Sequence, residues 1–200
     1  NTVRRLEGIV RELKESKPII KYEANSWRKP VMVAEGDAAI GNLEGGGSQG
    51  GCLVSIRDVE AQNPTSHLLA HQSKRIKRVV WSSMSAETVN QTAMMDTALW
   101  IRDMIRSVTR VNLRVVVKTD CESYRSAVHS LSNVRKEKRL TLDVYAMREA
   151  LRTGKIFSVS HVKSDQNNAD GLTKHSKSNA VILYELAAGK VRDTWRNGAF

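Results

Sequence analysis

Cysteine is scarce in this sequence, and its two cysteines form no recognisable pattern. Cys52 and Cys121 are the only thiols among 200 residues. Two thiols cannot build the disulfide framework of a small secreted domain, and they lack the paired spacing of a zinc site. The low cysteine content therefore predicts a reduced, intracellular setting.

Long hydrophobic runs are also missing. No apolar stretch approaches the roughly 18 residues that a membrane-spanning helix needs, and the first residues do not match a signal peptide. We therefore expect no membrane partner. Because the chain begins Asn1-Thr2 without a methionine, we expect it to be a piece of a longer protein.

The glycine-rich stretch at residues 41–51 lacks the GxxxxGK[ST] pattern of a phosphate-binding loop. A strand, not a helix, is predicted after it. We therefore interpret the stretch as a long hairpin loop.

Acidic residues are outnumbered by basic ones. The chain has 32 Lys and Arg against 21 Asp and Glu, a net charge of +11 and a pI near 9.9. This excess is typical of proteins that bind a polyanion, most often nucleic acid. The candidate phosphate contacts lie in two basic runs: Lys74, Arg75, Lys77, Arg78 and Arg135, Lys136, Lys138, Arg139. For any single one of them, a solvated surface position is an equally good interpretation.

Hydrophobic periodicity predicts an α/β protein. Strands are expected to begin near residues 31, 52, 67, 113 and 156, with the 67–80 region completing an antiparallel meander. Helices are expected at 2–15, 85–107, 122–131, 140–153 and 178–190. The continuous valines of 113–120 indicate a central strand buried on both faces.

The 85–107 helix is predicted to begin at an N-cap of Ser83 or Ser85. One apolar stripe is expected to follow it, made of Val89, Ala93, Trp100, Ile101, Met104, Ile105 and Val108.

Four acids occupy similar places in this pattern. Asp37 lies on the first strand, Glu87 in the first turn of the first long helix, Asp120 at the end of the central strand, and Asp170 near the last helical segment. Strand ends and helix starts converge at one edge of an α/β sheet. Singly, each acid could be a cap or a turn residue. Together they predict a site for hard divalent cations, which prefer oxygen ligands.

Histidines offer no competing site. His67 and His71 would share one face of a strand, but no third ligand lies near them in sequence, so a metal role for the pair is not favoured. His161 lies within the last strand and is not assigned a role in proton transfer. Asp143 is predicted to be a structural or loop-anchoring residue on its helix.

Five sequence motifs resemble those of a known family: GDAAIGN, SSMSAET, VVVKTDCESYRSAV, RLTLDVYAMREAL and HVKSDQNNADGLTK. They resemble the ribonuclease H domain of copia-type LTR retrotransposon Pol polyproteins, and the resemblance spans most of residues 1–175. It implies a ribonuclease H-like fold, with a mixed five-stranded sheet flanked by helices on both faces. It also implies Mg²⁺-dependent cleavage of the RNA strand of RNA–DNA hybrids by two metal ions, with Mn²⁺ able to substitute.

The same resemblance implies roles for particular parts of the chain. Asp37, Glu87, Asp120 and Asp170 become the catalytic, metal-binding carboxylates. Residues 1–30 become the tail of a preceding reverse transcriptase-type domain, 31–190 the ribonuclease H-like domain and 191–200 a C-terminal tail. The expected location is a cytoplasmic particle or the nucleus. The histidine that cellular ribonucleases H carry in a loop before the last aspartate has no counterpart here.

Two alternatives stay open at this point. The chain could be an inactive or domesticated relative that binds nucleic acid or protein without cutting. A transposase or integrase core is a second alternative, but it would need its glutamate last among the acids, and here Glu87 comes second.

Overall fold

Five strands form one mixed sheet in the computed structural model, which describes residues 7–8, 10–11, 14–15, 20–22, 29–58, 65–130, 138–174 and 177–190. The strands are β1 (Pro30–Leu43), β2 (Gly47–Asp58), β3 (Ser66–Arg75), β4 (Arg114–Thr119) and β5 (Ser158–His161), in the spatial order β3-β2-β1-β4-β5. The first three strands pair antiparallel, whereas β4 pairs parallel with both β1 and β5. The predicted α/β fold with a mixed five-stranded sheet is confirmed.

Helices connect and cover this sheet. They are α1 (Ser83–Thr109), α2 (Glu122–His129), α3 (Lys138–Arg152) and α4 (Lys177–Ala187), and two short 3₁₀ helices, Ser164–Gln166 and Asn168–Leu172, lie between β5 and α4. The described residues within the predicted 2–15 helix are helical. The rest of that helix, most of the irregular connector predicted after it at residues 17–30, and the tail 191–200 lie outside the described residues.

One face of the sheet carries the main hydrophobic core. Alternate residues of β1, Met32 and Ala34, point to the same side as Val54 of β2 and are fully buried. Because successive strand residues alternate between faces, this side forms a continuous apolar surface. The helices that cover it contribute Met94, Met95 and Ala98 from α1, Tyr124 and Val128 from α2, and Val144, Met147 and Ala150 from α3.

The opposite face has a smaller core. Leu53 of β2 and Leu68 of β3 pack there against Ala169 and Leu186, which belong to the 3₁₀ helix Asn168–Leu172 and to α4. Helices therefore cover both faces, as predicted. The central strand β4 is buried on both sides, since Val115, Val116 and Val117 are all at most 1% exposed.

The described part of the connector contacts the smaller core. The backbone N–H of Lys21 donates to the Ala187 carbonyl at 2.9 Å, and the Tyr22 hydroxyl donates to the Leu68 carbonyl at 2.7 Å. The Tyr22 ring also lies edge-on to His67, with ring centroids 5.7 Å apart. Residues 20–22 thus lie against β3 and the end of α4.

Two loop expectations need correction. The glycine-rich stretch is not a long loop, because β1 extends to Leu43 and β2 resumes at Gly47 after a three-residue 3₁₀ turn. The third strand ends at Arg75, earlier than the predicted 80. Residues after it turn towards α1, and Arg78 there forms an ion pair with Asp143 of α3. Asp143 therefore anchors this loop, in agreement with its predicted structural role.

The apolar stripe predicted along α1 is confirmed only in part in its C-terminal half, where Ile101 and Ile105 pack against the main core. Trp100, Met104 and Val108 are 64%, 49% and 83% exposed. In the N-terminal half of α1, the polar side chains of Glu87, Asn90 and Gln91 face the sheet in place of the predicted apolar residues.

None of the described helices is long and apolar enough to span a membrane.

A substitution at Gly51 tests how tightly the 3₁₀ helix Asn168–Leu172 packs against β2. A Cβ built there lies 2.7 Å from the Leu172 Cβ and 3.1 Å from the Ala169 carbonyl oxygen. We expect Gly51→Ala to lower the free energy of unfolding by about 1–3 kcal/mol, because the 3₁₀ segment must shift. Chemical denaturation measures it. Gly8→Ala is the matched control, since Gly8 is helical with no atom within 4 Å of its Cβ; an equal effect of both changes would contradict the packing argument.

Candidate metal centre

Three of the four predicted acids meet at one edge of the sheet. Asp37 lies on β1, and Asp120 immediately follows β4. The parallel register ends at Glu35↔Lys118, so both acids lie two residues beyond the last pair. Glu87 approaches from α1. One ligand oxygen from each of Asp37, Glu87 and Asp120 lies within 4.8 Å of the other two, and this is the one group of three metal-ligand side chains among the described residues.

Glu87 lies one turn deeper in its helix than predicted. The N-cap of α1 is Ser82, not Ser83 or Ser85, and Ser82 forms a reciprocal capping box with Ser85. Glu87 therefore belongs to the second turn, where the helix dipole is weaker. Its orientation comes from direct hydrogen bonds, because Oε1 accepts from the Ala38 N–H at 2.8 Å and Oε2 from Gln91 Nε2 at 3.3 Å.

Amide side chains attach this part of α1 to the sheet. Asn90 Nδ2 donates to the carbonyls of Asp37 and Gly51 at 3.0 and 2.9 Å, and Gln91 Nε2 also lies 3.3 Å from the Gly36 carbonyl. These bonds fix the backbone on which Asp37 is carried. They explain why α1 presents a polar face to the sheet here.

Asp37 is held from the opposite face. The Thr173 hydroxyl donates to Asp37 Oδ2, and the Lys174 ammonium lies 4.0 Å from Asp37 Oδ1. The same ammonium forms an ion pair with Asp170 Oδ1. Asp170 is thus outside the three-carboxylate group, but it is linked to Asp37 through Lys174.

Two consecutive asparagines hold the Asp170 segment in place. Asn167 Nδ2 donates to the Gly36 carbonyl at 3.0 Å, and its Oδ1 caps the 3₁₀ helix by accepting from the Ala169 N–H. Asn168 Nδ2 donates to both carboxylate oxygens of Glu35, at 2.9 and 3.0 Å. Both asparagines therefore attach the 3₁₀ helix to β1, next to Asp37.

A buried ion pair supports this attachment. Glu35 and Arg57 are both 1% exposed and pair with each other, and Arg57 Nε also donates to Ser55 Oγ at 3.2 Å. Removing one member of such a pair leaves an uncompensated buried charge. Glu35 has this structural partner, so it differs from Asp37 two residues later on the same face.

Electrostatics at the three-carboxylate group favour a cation. Burial raises the pKa of Glu87 to about 8, and the negative charges of Asp37 and Asp120 act in the same direction. Burial also raises the pKa of Asp37, against the lowering effects of Thr173 and Lys174. Desolvated like charges resist ionisation unless a positive charge joins them. The ligand set consists of carboxylate oxygens, and the Gln91 Oε1 beside it is buried without a hydrogen-bond partner, so these residues fit a hard divalent cation.

None of the histidines within the described residues adds to this group. His161 Nε2 lies 3.1 Å from the backbone carbonyl of Asp120 and so contacts the loop rather than the carboxylates. His67 packs against Tyr22, and His71 is exposed.

The predicted phosphate contacts divide into two sets in the structure. On β3, Lys74 pairs in register with Gly50 and Arg75 with Gln49, so both lie beyond the Asp37 rung at the same edge of the sheet. Arg78 and Arg139 line a groove of about 480 Å³ with Trp81, beside the start of α1. Lys77 and Lys138 are exposed. Arg135 and Lys136 lie outside the described residues.

Sequence reasoning missed the residues that position the acids. Glu35, Arg57, Asn90, Gln91, Asn167, Asn168, Thr173 and Lys174 were not singled out. The motif NNADGLTK contains the two asparagines and the lysine four residues after Asp170. Its local spacing could have indicated a helix cap and an i,i+4 ion pair. The Glu35–Arg57 pair has no such local signal.

The raised pKa of Glu87 leads to a stability test in chelated, metal-free buffer. Between the unfolded value near 4.5 and the folded value of about 8, the folded state retains a proton that the unfolded state releases, so stability falls as pH rises through that window. Glu87→Gln removes the carboxyl group, and with it the loss of stability that its ionisation causes. We expect the variant to be a few kcal/mol more stable than the parent at pH 9 and equal to it near pH 4.5, by chemical denaturation.

Asp103→Asn is the control for this test, since Asp103 is 59% exposed on the same helix. A Glu87→Gln effect that is independent of pH would contradict the pKa shift.

No protein-family model matches this chain, and no curated protein does. Solved structures similar to it include ribonucleases H. LC11-RNase H1, isolated from compost by a metagenomic approach, is 18% identical with a TM-score of 0.48, over 76% of this chain and 98% of that one. Its structure in complex with RNA/DNA hybrid gives 18% and 0.47, over 76% and 99%.

Prototype foamy virus provides further similar structures. Its protease-reverse transcriptase is 14% identical with a TM-score of 0.45, over 85% of this chain and 22% of that one. Its RNase H domain alone is 16% identical with a TM-score of 0.44, over 76% and 95%.

Proposed function

We propose that this chain is the ribonuclease H domain of a copia-type retrotransposon reverse transcriptase polyprotein and hydrolyses the RNA strand of RNA–DNA hybrids. The observation that carries the proposal is the convergence of Asp37, Glu87 and Asp120 within 4.8 Å, with Asp170 linked to them through Lys174. The acids occur in the order that the resemblance of the five sequence motifs implies. The assignment to the copia type rests on those motifs alone.

The four carboxylates are proposed to hold two Mg²⁺ ions, with Mn²⁺ able to replace them. Bound there, such ions activate a water molecule and stabilise the leaving oxygen of a phosphodiester. The chain's own residues orient the ligands. The Ala38 N–H and Gln91 fix Glu87, and the Thr173 hydroxyl fixes Asp37.

Substrate binding is proposed for the two basic sets beside this site. Lys74 and Arg75 lie at the same sheet edge as Asp37, whereas Arg78 and Arg139 lie in the groove beside α1. A hybrid duplex is recognised mainly through its shape, its phosphates and its 2′-hydroxyls. Exposed cations beyond the Asp37 rung and beside the start of α1 suit a duplex whose backbone crosses the carboxylate group.

The proposed domain has wider context that follows from the resemblance. Residues 1–30 are proposed to end a preceding reverse transcriptase-type domain, residues 31–190 to form the nuclease, and 191–200 to form a tail. The location, a cytoplasmic particle or the nucleus, stays a prediction.

Cleavage assays with labelled duplexes test the proposal. We expect the full chain to cut the RNA strand of an RNA–DNA hybrid with Mg²⁺ or Mn²⁺, and to leave RNA and DNA duplexes intact. Changes to outer-shell partners of metal sites cost about 10–100-fold, so loss of a ligand charge in Asp120→Asn should cost more than about 100-fold. Asp103→Asn, an exposed acid on α1, should retain activity. Tight hybrid binding without cutting would instead support the inactive, binding-only alternative.

The salt dependence of hybrid binding tests whether Lys74 contacts a phosphate. Each true phosphate contact contributes about 0.9 to the slope of log K against log salt concentration. We expect Lys74→Gln to reduce that slope by about one, in hybrid-binding measurements by fluorescence anisotropy in chelator. Lys155→Gln, outside both basic sets, should leave the slope unchanged, and an equal slope for all three proteins would remove Lys74 from the interface.

A further inference from the structure

Lys174 places a positive charge between two of the candidate metal ligands. Its ammonium forms an ion pair with Asp170 and lies 4.0 Å from the Asp37 carboxylate. The two carboxylates are 15% and 4% exposed, whereas the lysine side chain is 50% exposed. The lysine therefore reaches inward from solvent to two largely buried acids.

The backbone around Lys174 fixes this position. Its N–H donates to the Asp170 carbonyl at 3.0 Å, and the preceding Thr173 bonds to Asp37. The 3₁₀ helix before it is held to β1 by Asn167 and Asn168. A lysine at i,i+4 from Asp170 on this anchored segment is directed at the acids by the fold.

We propose that Lys174 is a built-in counter-cation for the Asp37–Asp170 pair, which a divalent ion must displace in order to bind between those two carboxylates. The proposal rests on the metal-binding role proposed above. An ammonium and a divalent cation repel each other, and they compete for the same carboxylate oxygens. The four-carbon stem and the half-exposed position let the ammonium move out into solvent.

Unequal affinity for two ions follows from this arrangement. The group formed by Asp37, Glu87 and Asp120 binds a first ion without displacing the Lys174–Asp170 ion pair. A second ion, between Asp37 and Asp170, has to replace that pair. The protein then binds one ion more tightly than the other, and the difference depends on the charge at position 174.

Mn²⁺ binding to the full chain tests the proposal without substrate. Electron paramagnetic resonance of free Mn²⁺ gives the affinities for the parent, Lys174→Met and Lys174→Arg. We expect two unequal sites in the parent and about tenfold tighter binding at the weaker one in Lys174→Met, since a competing positive charge has been removed. Lys174→Arg keeps the charge and should not tighten it. Lys155→Met is the matched control and should behave as the parent.

A weaker site that Lys174→Met leaves unchanged or loses would overturn the proposal, as would equal tightening by the Arg variant. Acylation of lysines in the parent, followed by mass spectrometry, covers the case in which Lys174→Met fails to fold. Saturating Mn²⁺ should increase the labelling rate of Lys174 and not that of Lys155. An unchanged or slower rate at Lys174 would overturn the proposal.

These outcomes are separable from the proposed nuclease activity. A protein that shows the tightening in Lys174→Met but cuts no hybrid would retain the counter-cation and lose the proposed activity. A protein that cuts hybrids while all variants bind Mn²⁺ alike would retain the activity and lose the counter-cation.

Discussion

The burial of like charges where the parallel pairing of β1 and β4 ends is the constraint on which the rest of this structure depends. Asp37 and Glu87 are 3% and 4% exposed, and each raises the cost of ionising the other. The fold compensates with donors from both faces of the sheet. The Ala38 N–H and Gln91 serve Glu87, and Thr173 and Lys174 serve Asp37.

Compensation from both faces requires close approach on both. On one side, Asn90 reaches through to the carbonyls of β1 and β2, which the small residues there permit. On the other, Leu172 and Ala169 lie so near Gly51 that a methyl group would not fit. The glycine-rich ends of β1 and β2 thus serve packing against the site segments rather than a loop, which is why the sequence stretch looked like a loop.

Much of the fold follows from the sequence for local reasons. The apolar run that begins at Val31 and the buried run of valines after residue 113 identified β1 and β4, and the four acids were found because each lies on a strand, at a strand end or near a helix start. The polar face of α1 could not be predicted from hydrophobic periodicity. Its side chains donate hydrogen bonds to carbonyls of β1 that are distant in sequence. The Glu35–Arg57 pair was missed for the same reason: it joins adjacent strands, and its burial is a property of the folded sheet.

The net charge of +11 and the acidic centre act over different distances. Screening limits exposed charges to about 10 Å at moderate salt, so the basic surface attracts a polyanion only once it lies within about that distance. At the sheet edge a phosphate would then meet Asp37, Glu87 and Asp120, which repel it. Lys174 neutralises part of this repulsion on the Asp170 side, but burial and the charges of Asp37 and Asp120 still raise the pKa of Glu87. For the proposed function, divalent cations supply the missing positive charge, because one such ion binds carboxylates and a phosphate oxygen at once.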